Sequence, residues 1–132
     1  MKYILMMNGT KAEFDAYTKW PKEDLRANVA FMRTFAKELK DAGVYVAAEG
    51  LDSPTEAKLV RTGSNGQPIT DGVFPESKEF LAGYWIIDVN SAEDAYRIAA
   101  RAATAPGPGG KRGGLSIEVR KVLSSAPKEL LE

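Results

Sequence analysis

Apolar and polar residues change period several times along the chain, and each change marks an element. Tyr3-Ile4-Leu5-Met6-Met7 is continuously apolar. It predicts a strand buried on both faces, at the centre of a sheet, and stopped by Asn8-Gly9. Thr10-Lys11-Ala12-Glu13 has capping-box spacing, in which hydroxyl and carboxylate satisfy each other's free N–H groups, and predicts a short helix through about Tyr17. Pro21, followed by Glu23 and Asp24, suits the first turn of a longer helix. Leu25, Val29, Met32, Phe35, Ala36 and Leu39 then recur at three- and four-residue steps as its apolar stripe. Gly43 is placed to cap its C-terminus.

Val44 to Glu49 predicts a second strand, with Val44, Val46 and Ala48 on one face and Tyr45, Ala47 and Glu49 on the other. Ala57–Thr62 and Gln67–Thr70 flank Gly63-Ser64-Asn65-Gly66, the pattern of a hairpin with a glycine-rich tip, which runs into the turn signal Asp71-Gly72. From Gly83 to Val89 both alternating sets are mostly apolar, so this strand too must be covered on both faces. Ser91 is an N-cap for a helix to about Ala103, whose thin stripe of Ala95, Ile98, Ala99 and Ala102 allows close approach to a sheet. Ala105 to Gly114 is too rich in Gly and Pro for a helix and predicts a flexible loop. Leu115 to Val122 is the last strand, and Pro127 to Glu132 a tail.

Strand, helix, strand, strand, helix, strand, with a hairpin inserted before the third strand, predicts a ferredoxin-like α+β sandwich with two helices on one face of an antiparallel sheet. Residues 1–123 form the domain and 124–132 the C-terminal tail. The sheet face without helices is too apolar to leave in water, which predicts a homodimer with sheets facing each other.

Composition narrows the chemistry. The 132 residues suffice for one domain, and 18 basic against 18 acidic residues leave no global field to attract nucleic acid or an anionic membrane. Cys and His are both absent, which removes thiolate nucleophiles, imidazole bases and the metal sites built on them. The apolar run near the N-terminus is too short for a signal peptide or a span, so the expected location is cytoplasmic. Lys111 among glycines invites a phosphate-loop reading, but Arg112 follows it and the loop leaves a helix to enter a strand. No dinucleotide fingerprint or zinc spacing is present, and no cofactor is expected.

The candidate chemistry falls to carboxylates. Asp71 either bonds its own turn or sits at a pocket mouth beside Gly72 and Phe74, where apolar surroundings would tune it as an acid or base. Glu49, at the end of a buried strand, must be paired or used. Glu118 and Arg120 share a strand face, as an ion pair or with Arg120 free to grip a substrate carboxylate. Phe74 and Tyr84 would line the pocket, although Tyr84 and Trp85 also suit core or interface.

Asp71-Gly72-Val73-Phe74, Glu76-x-Lys78-Glu79 and Gly83-Tyr84, with Lys2-Tyr3-Ile4-Leu5-Met6, Ala48-Glu49-Gly50-Leu51 and Ser116-Ile117-Glu118-Val119-Arg120, resemble the YCII-related proteins, in the branch named for an Asp-Gly-Pro-Phe motif. Val73 stands where that motif has Pro. The resemblance implies a dimeric α/β barrel and, in some relatives, a His-Asp dyad that this chain cannot form. It also implies a linkage to extracytoplasmic-function sigma factors. Two functions are therefore carried forward. One is a small-molecule binding or regulatory module with its pocket near the dimer seam. The other is a cofactor-independent lyase or isomerase with Asp71 or Glu49 moving the proton and Tyr84 or Arg120 polarising the substrate.

Overall fold

The computed structural model describes residues 1–72, 78–111, 115–123 and 128–130. Strand β1 (Lys2–Thr10) leads into helices α1 (Lys11–Thr18) and α2 (Lys22–Asp41), then β2 (Tyr45–Gly50), the hairpin strands β3 (Lys58–Thr62) and β4 (Pro68–Gly72), β5 (Glu79–Asp88), α3 (Ala92–Ala102) and β6 (Ile117–Lys121). The main sheet runs β2-β5-β1-β6, antiparallel at every pairing, and β3-β4 form a separate two-stranded sheet. This α+β architecture is compatible with the ferredoxin-like expectation, and the hairpin lies where the sequence put it.

The helices form for the reasons their caps announce. Thr10 Oγ1 accepts from Glu13 N at 3.2 Å while Glu13 Oε1 accepts from Thr10 N at 3.0 Å, closing the capping box. Ser91 Oγ accepts from Asp94 N at the start of α3. At the end of α2, Gly43 adopts φ +73°. Its N–H reaches Lys40 O, and Val44 N reaches Leu39 O, a pair of bonds that closes the helix and needs a residue at ease with positive φ.

The core lies between α2, α3 and one face of the sheet. Tyr3, Leu5, Trp85 and Ile87 point inward against Phe35 and Leu39 of α2 and Ala95, Ala99 and Ala102 of α3. The Phe35 and Trp85 rings meet edge to face at 5.3 Å, the arrangement favoured by the ring quadrupoles. Alternation sends Ile4, Met6, Tyr84 and Ile86 to the opposite face. Both α2 and α3 pack on the inner face, so neither covers these four residues.

Several expectations need correcting. Asn8-Gly9 does not stop β1, because β5 begins at Glu79 and supplies partners for Asn8, Gly9 and Thr10 after a register shift at Met7/Asn8. Strict alternation also fails in β2. Tyr45 pairs with Ile87 and Ala47 with Ile86, so Val46 is the extra residue of a bulge and Tyr45 turns toward the core. On α2, Val29 is 42% exposed, whereas Asn28 is buried and donates to Pro106 O at 3.0 Å. This bond and the burial of Ala105 fasten the start of the glycine-rich loop, which turns through Pro108–Gly110. Residues 112–114 of that loop lie outside the described residues.

Candidate functional site

Register sets which side chains share the outer face. Glu49 of β2 lies opposite Tyr84 of β5, Tyr84 opposite Met6 of β1, and Met6 opposite Glu118 of β6, making one row across the sheet. The next row is Ala47, Ile86, Ile4 and Arg120. Four apolar or aromatic side chains thus occupy the centre, all half-buried, with exposed carboxylates at both margins and exposed Arg120 on one. Gly83 permits β2 and β5 to come this close, since a Cβ there would meet Glu49 O at 3.1 Å.

Distance decides what these groups can do. Glu49 and Glu118 sit three strand spacings apart, about 14 Å, beyond the roughly 5 to 9.5 Å at which two carboxylates share a reacting bond. Glu118 Oε1 accepts from Asn8 Nδ2 at 3.5 Å. Among the described residues Arg120 has no ion-pair partner, so the Glu118–Arg120 bridge does not form.

Asp71 stands apart from that row. It lies on β4 of the hairpin, opposite Leu59, and its Oδ2 receives Arg61 Nε at 3.4 Å with both side chains more than half exposed. Among the described residues, none supplies there the burial that acid–base work demands of a carboxylate. Phe74, expected beside it, lies outside the described residues. Of the expected site residues, the sheet therefore brings Glu49 and Tyr84 into contact distance and leaves Arg120 on the far margin of the same face.

Two depressions among the described residues lie off this face, the first of them on the helix side of the sheet. One, of about 620 Å³, opens between α2, α3 and the strand ends, with Phe35, Leu39, Val44 and Ile98 in its floor. Its rim charges are matched within the chain, Arg101 to Glu38 and Arg97 to Asp94. The other, of about 360 Å³, lies at the end of the sheet from which the hairpin springs, among Asn8, Glu13, Glu79, Ser116, Ile117 and Glu118. Among the described residues it carries three carboxylates and no basic group, yet no carboxylates there cluster closely enough to hold a metal ion. Sequence reasoning passed over Asn8, Glu13 and Glu79. The sequence carried one usable signal, the capping box that fixes Glu13 beside the end of β1.

At the far end of the sheet, the N-terminal ammonium donates to Asp88 Oδ1 at 2.9 Å and to Val89 O at 2.8 Å. The first of these bonds, with the ammonium's charge, holds the Asp88 carboxyl below its ordinary value. No helix among the described residues is long and apolar enough to cross a membrane.

The YCII-related domain matches residues 1–109 of the sequence. No curated protein matches the chain.

Proposed function

The chain belongs to the YCII-related family, and from that premise we propose that it works as a homodimeric small-molecule-binding module, with two outer sheet faces apposed and the ligand held along their seam. The observation that carries this reading is the Ile4, Met6, Tyr84 and Ile86 patch, which neither α2 nor α3 covers. A contiguous apolar face of this kind, bordered by polar groups, is what an association surface presents. Glu49 and Tyr84 from one copy and Arg120 from the other margin would supply the few polar groups that orient a ligand in such a seam. The likeness to the Asp-Gly-Pro-Phe branch belongs to this proposal and rests on Asp71-Gly72 and Phe74.

A binding module fits the geometry better than an acid–base enzyme. Within one chain the two row carboxylates are too far apart to cooperate, and Asp71 is engaged by Arg61 on another sheet. The enzyme reading would require carboxylates contributed by two copies.

Sedimentation equilibrium tests the assembly, and fluorescence of the apolar dye anilinonaphthalene sulfonate tests the face. The expected result is twice the chain mass at micromolar concentration, with dye binding that rises as dilution separates the copies. A single-chain mass at every concentration, or dye binding unchanged by Tyr84→Lys in the dilute protein, would sink the reading.

A further inference from the structure

The outer face of the sheet is polarised along its strands. Glu49 and Glu118 bracket the row of Tyr84 and Met6, whereas Lys2 and Arg120 stand nearer the other end. Arg120 lies directly across from Ile4, and Lys2 is two residues from Ile4 on the same strand, so both cations share the face of Ile4. We infer that Lys2 and Arg120 together receive the carboxylate of a ligand whose apolar body lies over Ile4 and Ile86. The inference rests on the small-molecule reading proposed above and names the class of molecule bound, an aryl or alkyl monocarboxylate.

Position is the first argument. Diagonal neighbours on paired antiparallel strands are about 7 to 8 Å apart, so side chains as long as Lys and Arg can converge on one group. Val122 N donates to Lys2 O at 2.9 Å. The edge strand thus stays bonded alongside Lys2 and keeps Arg120 at the diagonal position. Both side chains are exposed, and neither enters an ion pair among the described residues. Asp88, the carboxylate across from Lys2, is engaged by the N-terminal ammonium at 2.9 Å.

Chemistry says what fits. The planar fork of an Arg offers parallel N–H groups to the two oxygens of a carboxylate, and a Lys beside it adds a compact charge. From Arg120 the row continues through Ile4 and Ile86, both half-buried. Successive strands are about 4.8 Å apart, so a head held at the cations directs a body of about 10 Å across two strands. A monocarboxylate suits this margin better than a phosphate, because a second charge costs more to bring against apolar side chains. Glu49 and Glu118 repel an anion from the other end of the patch, which sets the ligand's direction.

Fluorescence anisotropy of three probes sharing one aromatic body tests this: 1-naphthoate, the neutral 1-naphthamide and 1-naphthyl phosphate. The natural chain is expected to bind naphthoate about tenfold more tightly than naphthamide. Arg120→Gln should remove most of that advantage and Lys2→Gln about threefold of it, with circular dichroism confirming that each variant folds. Lys121→Gln removes the same charge from the opposite face, since Lys121 pairs with inward-facing Tyr3, and should leave all three affinities unchanged. Equal weakening by Lys121→Gln would reduce the effect to diffuse attraction and overturn the inference, and so would naphthamide binding as tightly as naphthoate. Either result leaves the apolar-face reading standing. Tighter binding of naphthyl phosphate overturns the assignment of a carboxylate. Absence of binding by every probe at millimolar concentration overturns both this inference and the ligand-binding reading beneath it.

Discussion

The two faces of the four-stranded sheet are made from similar residues and meet different fates. Tyr3, Leu5, Trp85 and Ile87 are buried under two helices, while Ile4, Met6, Tyr84 and Ile86 remain half-exposed one residue away along the same strands. Strand composition alone therefore says that a face needs cover without saying whose. The inner cover is cheap in sequence terms, because α2 follows β1 after the short α1, α3 follows β5 directly, and together they bring Phe35, Leu39 and three alanines. Among the described residues neither α2 nor α3 lies over the outer face. In the proposed dimer its cover is a second copy, and the free energy that cover gains depends on concentration.

The largest effect should come from breaking the inner face. Phe35 is 1% exposed and stacks edgewise on Trp85, so Phe35→Ala should cost about 3 to 5 kcal/mol in urea unfolding at any protein concentration. The outer face should answer differently. Ile86→Lys should change unfolding by less than about 1 kcal/mol in protein dilute enough to be monomeric, yet weaken dimerisation by about a hundredfold in sedimentation. If both substitutions behaved alike at all concentrations, the distinction between the faces would collapse.

A smaller effect probes the one buried polar residue among those described. Asn28 donates to Pro106 O beneath the helix layer. Removing it leaves that carbonyl without its partner, so Asn28→Ala should cost about 1 to 2 kcal/mol. Hydrogen exchange should show faster exchange at the amides of Gly107 and Gly110, with little change on the outer strands.

The inner face was the more legible of the two in the sequence. Caps and stripes are local signals, and Thr10, Ser91, Gly43, Phe35 and Leu39 each announce their place within a few residues. Val29 was misplaced and Asn28 passed over because a wheel ranks residues by polarity, whereas burial follows what Pro106 offers across the chain. The bulges at Met7/Asn8 and Val46 were invisible for a related reason: an inserted residue is defined by the partner strand, not by its own pattern. The candidate site suffers most from this. Alternation put Glu118 and Arg120 on one face, but only register brings Glu49 onto it and reveals that Tyr84 and Met6 stand between the two carboxylates. Asp71 read as a turn residue, yet its partner is Arg61, fixed by hairpin register rather than by Gly72.

The two faces should also differ in their response to acid. Among the described residues the buried core holds no carboxylate, and its Asn28 cannot ionise, so the core brings no group that responds to acid. Asp88, exposed beside Lys2 at the sheet's end, does. Its carboxyl is held below the ordinary 3.8 in the folded chain, chiefly by the hydrogen bond from the N-terminal ammonium. A lowered folded value means that the unfolded chain takes up the proton more readily. The stabilisation is therefore complete above 3.8 and fades as pH falls through the lower folded value. Asp88→Asn should accordingly lower Tm at neutral pH by a small margin, and the gap from the natural chain should close in strong acid. Acetylating the Met1 amine should reproduce the same pH-dependent gap, because it removes the other half of the contact. A gap that stayed constant with pH would mean that Asp88 acts through packing, and the outer rim would then be no more sensitive to acid than the core.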